Sequence, residues 1–150
     1  MLSEDEKWFA VSLRFVGDGL DPTKLEALLG MAPTTVRIAG QKWSGKQGRS
    51  YGPARTNIWS YRSPTPSHLG FEEQIQSLLQ NLSHCQDAIR QLAQSDQVEA
   101  EIFCSYSSGS GQGGDTLSTQ TLAQLAGLGL SLGLDLYPPD SEQVTQDDAL

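Results

Sequence analysis

The chain has 150 residues, of which 37% are hydrophobic and 19% charged, and its formal net charge is -8. That composition suits one folded domain able to bury about two-thirds of its unfolded surface, and it argues against a disordered chain. No run approaches the ~18 apolar residues needed to span a bilayer, and the acidity disfavours double-stranded DNA as a partner.

The opening MLSEDEKWFAVSLRF places acids ahead of its apolar run. A secretory signal has a basic start and a small-residue cleavage site, so the expectation is a cytoplasmic protein. Its two cysteines, Cys85 and Cys104, are then reduced and partly buried. Residues 8–16 alternate, with Phe9, Val11, Leu13 and Phe15 on one face and Trp8, Ala10, Ser12 and Arg14 on the other. This is the pattern of a half-buried strand. A short helix follows, with Asp21 as N-cap, Pro22 in the first helical position, a stripe of Leu25, Leu28 and Leu29, and Gly30 as its left-handed stop. Residues 34–39 suit a strand, 40–55 read as a glycine-rich polar loop, and 56–62 suit another strand, on which Trp59 and Tyr61 share a face.

After the linker SPTPSHLG, helical spacing runs through Phe71, Ile75, Leu78, Leu79 and Leu82, then Ile89 and Leu92, with a break near Ser83 where serine can cap a second segment. Residues 98–106 alternate again, with Val98, Ala100, Ile102, Cys104 and Tyr106 on one face. Ser118 is placed to cap a last helix bearing Leu122, Leu125 and Ala126. Residues 131–137 form a closing strand with Leu132, Leu134 and Leu136 expected to face inward. The order β-α-β-β-α-β-α-β predicts an α+β domain. We expect a mostly antiparallel, ferredoxin-like sheet with helices on one face and an added C-terminal helix and strand. The expected boundaries are a flexible N-terminus at 1–7, the domain at 8–138, and an acidic, disordered tail at 139–150.

GSGQGG, residues 109–114, reads as G-x-G-x-x-G between a strand and a helix. A dinucleotide fingerprint needs glycines that open the helix directly. Here Asp115 to Ser118 intervene, and Asp115 puts a negative charge where phosphate would approach. A Walker loop fits worse, because no Lys-Ser or Lys-Thr follows. The loop therefore reads as a turn that packs closely against the sheet edge.

Other chemical candidates are thin. Glu99 and Glu101 share a strand face about 6.6 Å apart by strand rise, but read as a solvated or paired face, with Arg14 opposite one of them. Glu72 and Glu73 suit a helix dipole. His68, His84, Cys85 and Cys104 lack the paired spacing of a closed zinc site. No spacing ties either histidine to Ser60, Ser105 or Cys104 as a nucleophile. No catalytic residue, metal or cofactor is assigned.

Charge is more informative. From Leu28 to Phe71 there is no acid, while Arg37, Lys42, Lys46, Arg49, Arg55 and Arg62 all fall there. Trp43, Tyr51 and Trp59 are interleaved with them. Arginine, tryptophan and tyrosine are favoured at protein interfaces, and a basic segment steers an acidic partner. The recognition residues expected from sequence are Trp43, Arg49, Arg55, Trp59 and Arg62, with Gly109, Gly111, Gly113 and Gly114 of the loop. The second candidate surface is the open sheet face with Trp8, Phe103 and Tyr137, a face suited to a homodimer or a partner.

The stretch FAVSLRFVGDGLDPTKLEALLGMAPT resembles the opening of an uncharacterised, mainly bacterial family, the domain of unknown function 4279. The matching residues are Gly17, Asp18, Leu20, Asp21, Pro22, Leu29, Gly30, Pro33 and Thr34, joined by Trp59, the leucines at 78–82, the strand before GQGG, Leu117, Ser118 and the strand ending at Tyr137. The resemblance covers about residues 8–138. It implies a small α+β domain and no established activity, ligand or catalytic residue. Analogy with small immunity or toxin-neighbour domains adds an immunity-like role by fold analogy only. The expected function is thus a non-enzymatic protein-interaction module. The alternative is a small anionic-ligand domain or enzyme with its site between the 109–114 glycine loop and the basic 42–62 segment.

Overall fold

The computed structural model describes residues 6–45 and 48–137. Lys46 of the basic segment and the 139–150 tail lie outside them. The elements are β1 (Lys7–Gly17), α1 (Pro22–Leu29), β2 (Thr35–Arg37), β3 (Trp43–Ser44), β4 (Ser50–Tyr51), β5 (Asn57–Arg62), α2 (Phe71–Asn81), α3 (Gln86–Ala93), β6 (Glu99–Ser108), α4 (Thr119–Gly127) and β7 (Ser131–Tyr137). The main sheet has the order β2-β5-β1-β6-β7. Neighbours are antiparallel except β6 and β7, which are parallel. This is a mixed α+β fold, with β1 at its centre because its alternating pattern can be paired on both edges.

Register explains the layers. Val11 lies opposite Cys104, Leu13 opposite Tyr61 and Ile102, and Phe15 opposite Trp59 and Ala100. Directly paired residues share a face, so these side chains form one apolar surface. The helices cover it, with α2 on β1, α1 against β5 and α3 against β6. Val11, Leu13, Phe15, Trp59, Ile75, Leu78, Leu82, Ile89 and Ile102 are fully buried there.

Local signals place the helix ends. Asp21 accepts from the backbone N–H groups of Thr23 and Lys24, and Gly30 closes α1 at φ 67°. Ser118 accepts from Thr121 N and caps α4. Ser83 does not serve as a cap; α3 starts after Cys85, whose side chain makes no capping bond. Packing of Leu82 and Cys85 into the core sets that break instead.

The 40–55 segment is not all loop. Trp43 pairs with Tyr51 and Ser44 with Ser50 in a two-stranded hairpin, and the two rings stack at 5.9 Å. Gly52 has φ 97°, and a Cβ there would lie 2.9 Å from the Trp43 ring. Two-residue strands carry too little periodicity to be seen in sequence.

β7 also departs from expectation. Its leucines turn to the helix side, yet no helix covers them: Leu132, Leu134 and Leu136 are 38%, 58% and 63% exposed. α4 packs on α2.

Candidate recognition face

The sheet face away from the helices is built in cross-strand rows. One row runs Arg37, Ile58, Val16, Glu99; the next Thr35, Ser60, Arg14, Glu101; the next Arg62, Ser12, Phe103. Ala10 pairs with Ser105, and Trp8 with Ser107. The middle of the face is therefore small: Ala10, Ser12, Ser60 and Ser105 are each buried. Small residues at strand centres make shallow troughs in which long side chains can lie flat and bury their stems.

Arginines of this face stack on aromatic rings. The Arg14 guanidinium lies 3.8 Å from the Phe103 ring centre, that of Arg62 5.8 Å from Trp8, and that of Arg37 4.7 Å from Trp43. Three arginine–aromatic stacks thus come from β1, β2 and β5, each worth on the order of 1 kcal/mol where partly desolvated. Arg14 also donates from Nε to Glu101 Oε1 at 2.6 Å. The pair is about one-fifth exposed on each side, so it fixes geometry more than it adds stability. The acids of the face, Glu99, Glu101 and Asp135, all belong to β6 and β7, whereas its arginines belong to β1, β2 and β5. The face is electrically two-sided. The Ser60 Oγ has no hydrogen-bond partner among the described residues.

The residues expected to recognise a partner divide. Arg49 and Arg55 are exposed on the excursion between β2 and β5, and Trp43 and Arg62 are half-buried in stacks. Trp59 is not available. It is fully buried and packs on Phe15 with ring centres 5.8 Å apart, because its register opposite Phe15 turns it to the helices. The glycine loop lies at the Trp8 end of β1, far from Arg55. It follows Ser108, which pairs with Lys7, whereas Arg55 precedes Asn57, which pairs with Gly17. Those ends of β1 are separated by roughly 33 Å at strand rise. The fold does not bring Arg55 and the glycine loop into one pocket.

Within the loop, Gly111 and Gly113 have φ 74° and 112°. Tyr106 Oη and Ser108 Oγ both donate to Gln112 O, at 2.6 and 2.9 Å. A Cβ on Gly113 would meet Tyr106 Oη at 2.4 Å. Gly114 has open space where a Cβ would stand. The loop then delivers Asp115, which accepts from Glu72 N at 3.0 Å at the start of α2. In return Glu72 accepts from Ser118 N at 3.0 Å, Ser118 Oγ at 2.9 Å and Thr121 Oγ1 at 2.8 Å at the start of α4. The start of α2 thus meets a carboxylate from the loop leading into α4, and the start of α4 meets one from the first turn of α2. The anion position that a glycine-loop nucleotide site would offer is filled by the protein's own acids. Glu72 lies in the first turn of its own helix, as its sequence position suggests, and its side chain also serves the start of α4. The capping signature, acid then Ser-x-x-Thr, is visible only once the two starts are known to be neighbours.

The Ser118 backbone N–H holds the Glu72 carboxyl below its ordinary 4.5, helped by the Thr121 and Ser118 hydroxyls and opposed by desolvation. A depressed folded value means that stability is gained above the unfolded value and lost as pH falls through the folded one. The stability difference between the wild type and Glu72→Gln should hold at neutral pH and shrink on the acid side of 4.5. Urea titrations of both chains across that range check it; a difference independent of pH would contradict the cap.

Cys104 is buried in the core, and desolvation, then the Glu101 charge, push its thiol up to about 12. Burial also raises Cys85. Neither is a ready thiolate, and the two are not bonded to each other. The His84 ring nitrogen lies 3.0 Å from Leu29 O on the helix side, away from Ser60 and Ser105. Among the described residues no cluster of His, Cys, Asp or Glu is placed to hold a metal ion, and no helix is long and apolar enough to cross a membrane.

The family described as Domain of unknown function (DUF4279) matches residues 6–139. That interval includes every strand and helix above. The chain belongs to the DUF4279 family. No curated protein and no solved structure matches it. The open sheet face of this DUF4279 domain sets three arginines against three aromatic rings.

Proposed function

We propose that this DUF4279 domain is a non-enzymatic recognition module that binds an acidic protein partner through the basic half of its open sheet face and the adjoining excursion. The observation that carries the reading is the set of three arginine–aromatic stacks, Arg14 with Phe103, Arg62 with Trp8 and Arg37 with Trp43, the first two in or beside rows whose small members Ala10, Ser12, Ser60 and Ser105 are buried. Arginine and aromatic residues dominate the energetic centres of interfaces. Stacking before contact lowers the entropy lost when they are immobilised by a partner. Arg49 and Arg55 stand exposed beside this area and steer an acidic surface toward it. We read the order β2-β5-β1-β6, antiparallel throughout, as a ferredoxin-like split β-α-β core with β7 appended. Residence in the cytoplasm fits two buried, unbonded cysteines.

The test is capture from the native cell with the wild-type chain and with Arg49→Glu/Arg55→Glu and Trp8→Ala/Arg62→Ala variants. A specific acidic partner should be retained by the wild type, released by moderate salt, and lost with both variants. A partner held equally by all three chains would remove this face from the proposal. A small anion bound to the face with no protein partner would favour a ligand-binding domain instead.

A further inference from the structure

We infer that β7 is a self-association edge, and that two copies of the chain pair β7 with β7 in antiparallel fashion about a two-fold axis at Leu134. The inference is independent of the recognition face. The two edges of the main sheet differ sharply. β2 has three residues and leads into the irregular excursion, which blunts it. β7 has seven residues, no proline, no lysine or arginine, and a single charge at Asp135. Exposed edges of that length and polarity pair with other strands unless blocked. Beside the edge, on the helix side, a groove of about 660 Å³ is lined by Leu132, Leu134, Leu136, Leu117, Tyr106 and Phe71. Its leucines make up three of the five large hydrophobic side chains left exposed among the described residues.

The second copy is favoured as the occupant because the strand complements itself. Centred on Leu134, antiparallel pairing sets Leu134 beside its own copy and Leu132 beside Leu136. It sets Asp135 beside Gly133, and Ser131 beside Tyr137. All seven residues are used, the leucines stay on one face, and no acid is paired directly with another; the copy's Asp135 comes beside Gly133, against which the Arg14-bonded Glu101 carboxylate leans. Moving the centre to Asp135 would oppose two carboxylates. Moving it to Gly133 would leave Leu136 and Tyr137 without partners. Pro138 and Pro139 come next in the sequence and lack the N–H a longer ladder would need. For a chain of net charge -8, a strand with a single acid, placed opposite a glycine, limits the repulsion between copies. The two leucine stripes then become continuous across the axis.

The experiment combines sedimentation of the full chain over a concentration series with cysteine placement. The wild type should form a concentration-dependent dimer, and Leu134→Lys, at an exposed position, should be monomeric with an unchanged circular-dichroism spectrum. With a short bifunctional thiol reagent, Leu134→Cys should cross-link to itself. Leu132→Cys and Leu136→Cys should cross-link only when mixed, because the register places each beside the other. A wild type that is monomeric at every concentration overturns the inference. So does a dimer that survives Leu134→Lys, which would place the contact elsewhere, and so does self-linking of Leu132→Cys as strong as that of Leu134→Cys. Should Leu134→Lys lose its fold, the cysteine pattern decides alone.

Discussion

Replacing Trp59 with alanine is expected to destabilise the domain by about 3–5 kcal/mol, the usual cost of removing a fully buried large aromatic side chain. Trp59 has no exposed surface, sits opposite Phe15 in the register, and joins the contact between β5 and α1 in the same core. Its truncation leaves a cavity between elements that cannot close over it without shifting β5. Trp59→Phe should cost far less, since it retains an aromatic ring against Phe15 and deletes an indole N–H that has no acceptor among the described residues. Urea unfolding of the two variants gives the comparison. If Trp59→Ala left stability within about 0.5 kcal/mol, as a surface change would, the tryptophan would be a surface residue and the assigned register of β5 would be wrong.

The second large effect is expected at Gln74. Its side-chain amide is buried on α2, and Nε2 donates to Leu69 O at 2.8 Å and to Phe9 O at 3.0 Å, with Pro66 O at 3.4 Å. The 63–70 linker runs beside β1, where Phe9 N donates to Ser67 O and Ser63 N to Val11 O. Gln74 therefore pins linker, helix and strand at one point. Gln74→Leu keeps the volume and withdraws the donor from one buried and one part-buried carbonyl, at roughly 1–3 kcal/mol each; a loss on the order of 2–4 kcal/mol is expected. Gln74→Glu should be worse at neutral pH, because a buried carboxylate has no proton to donate and faces carbonyl oxygens. Hydrogen exchange provides a local readout: protection at Phe9 and Ser63 should fall first. Stability and exchange equal to wild type in Gln74→Leu would show that the amide bridges nothing of consequence.

Gln74 also marks the limit of sequence reading. In FEEQIQSLLQNL it is one polar residue among several, at a position that helical periodicity alone places between Phe71 and Leu78 without saying what lies above it. Its burial depends on where the linker 63–70 returns, which is a non-local fact. Glu72 is a similar case: its role at the start of α4 depends on two helix starts, 46 residues apart for Ser118, being brought together.

Local patterns carried most of the element list. Alternation fixed the inward sides of β1 and β6, and Asp21, Pro22, Gly30 and Ser118 fixed helix ends, because capping and pleating act over a few residues. Arg14 opposite an acid was likewise legible, since paired strands of opposite pattern admit few registers. The order of elements also pointed to helices gathered on one face of a mainly antiparallel sheet.

What tertiary structure alone decided was which apolar residues are covered. Trp59 and the β7 leucines all look like inward strand positions or recognition residues by type. Trp59 is buried because β5 lies beside β1 under α1. Leu134 and Leu136 are exposed because β7 is the last strand and α4 rests on α2. Strand periodicity assigns a side chain to a face, but coverage of that face depends on strand order and helix placement, which involve contacts far apart in the chain. The same holds for the arginine stacks: Arg14, Arg37 and Arg62 are scattered in sequence and meet aromatics only after the rows of the sheet are set.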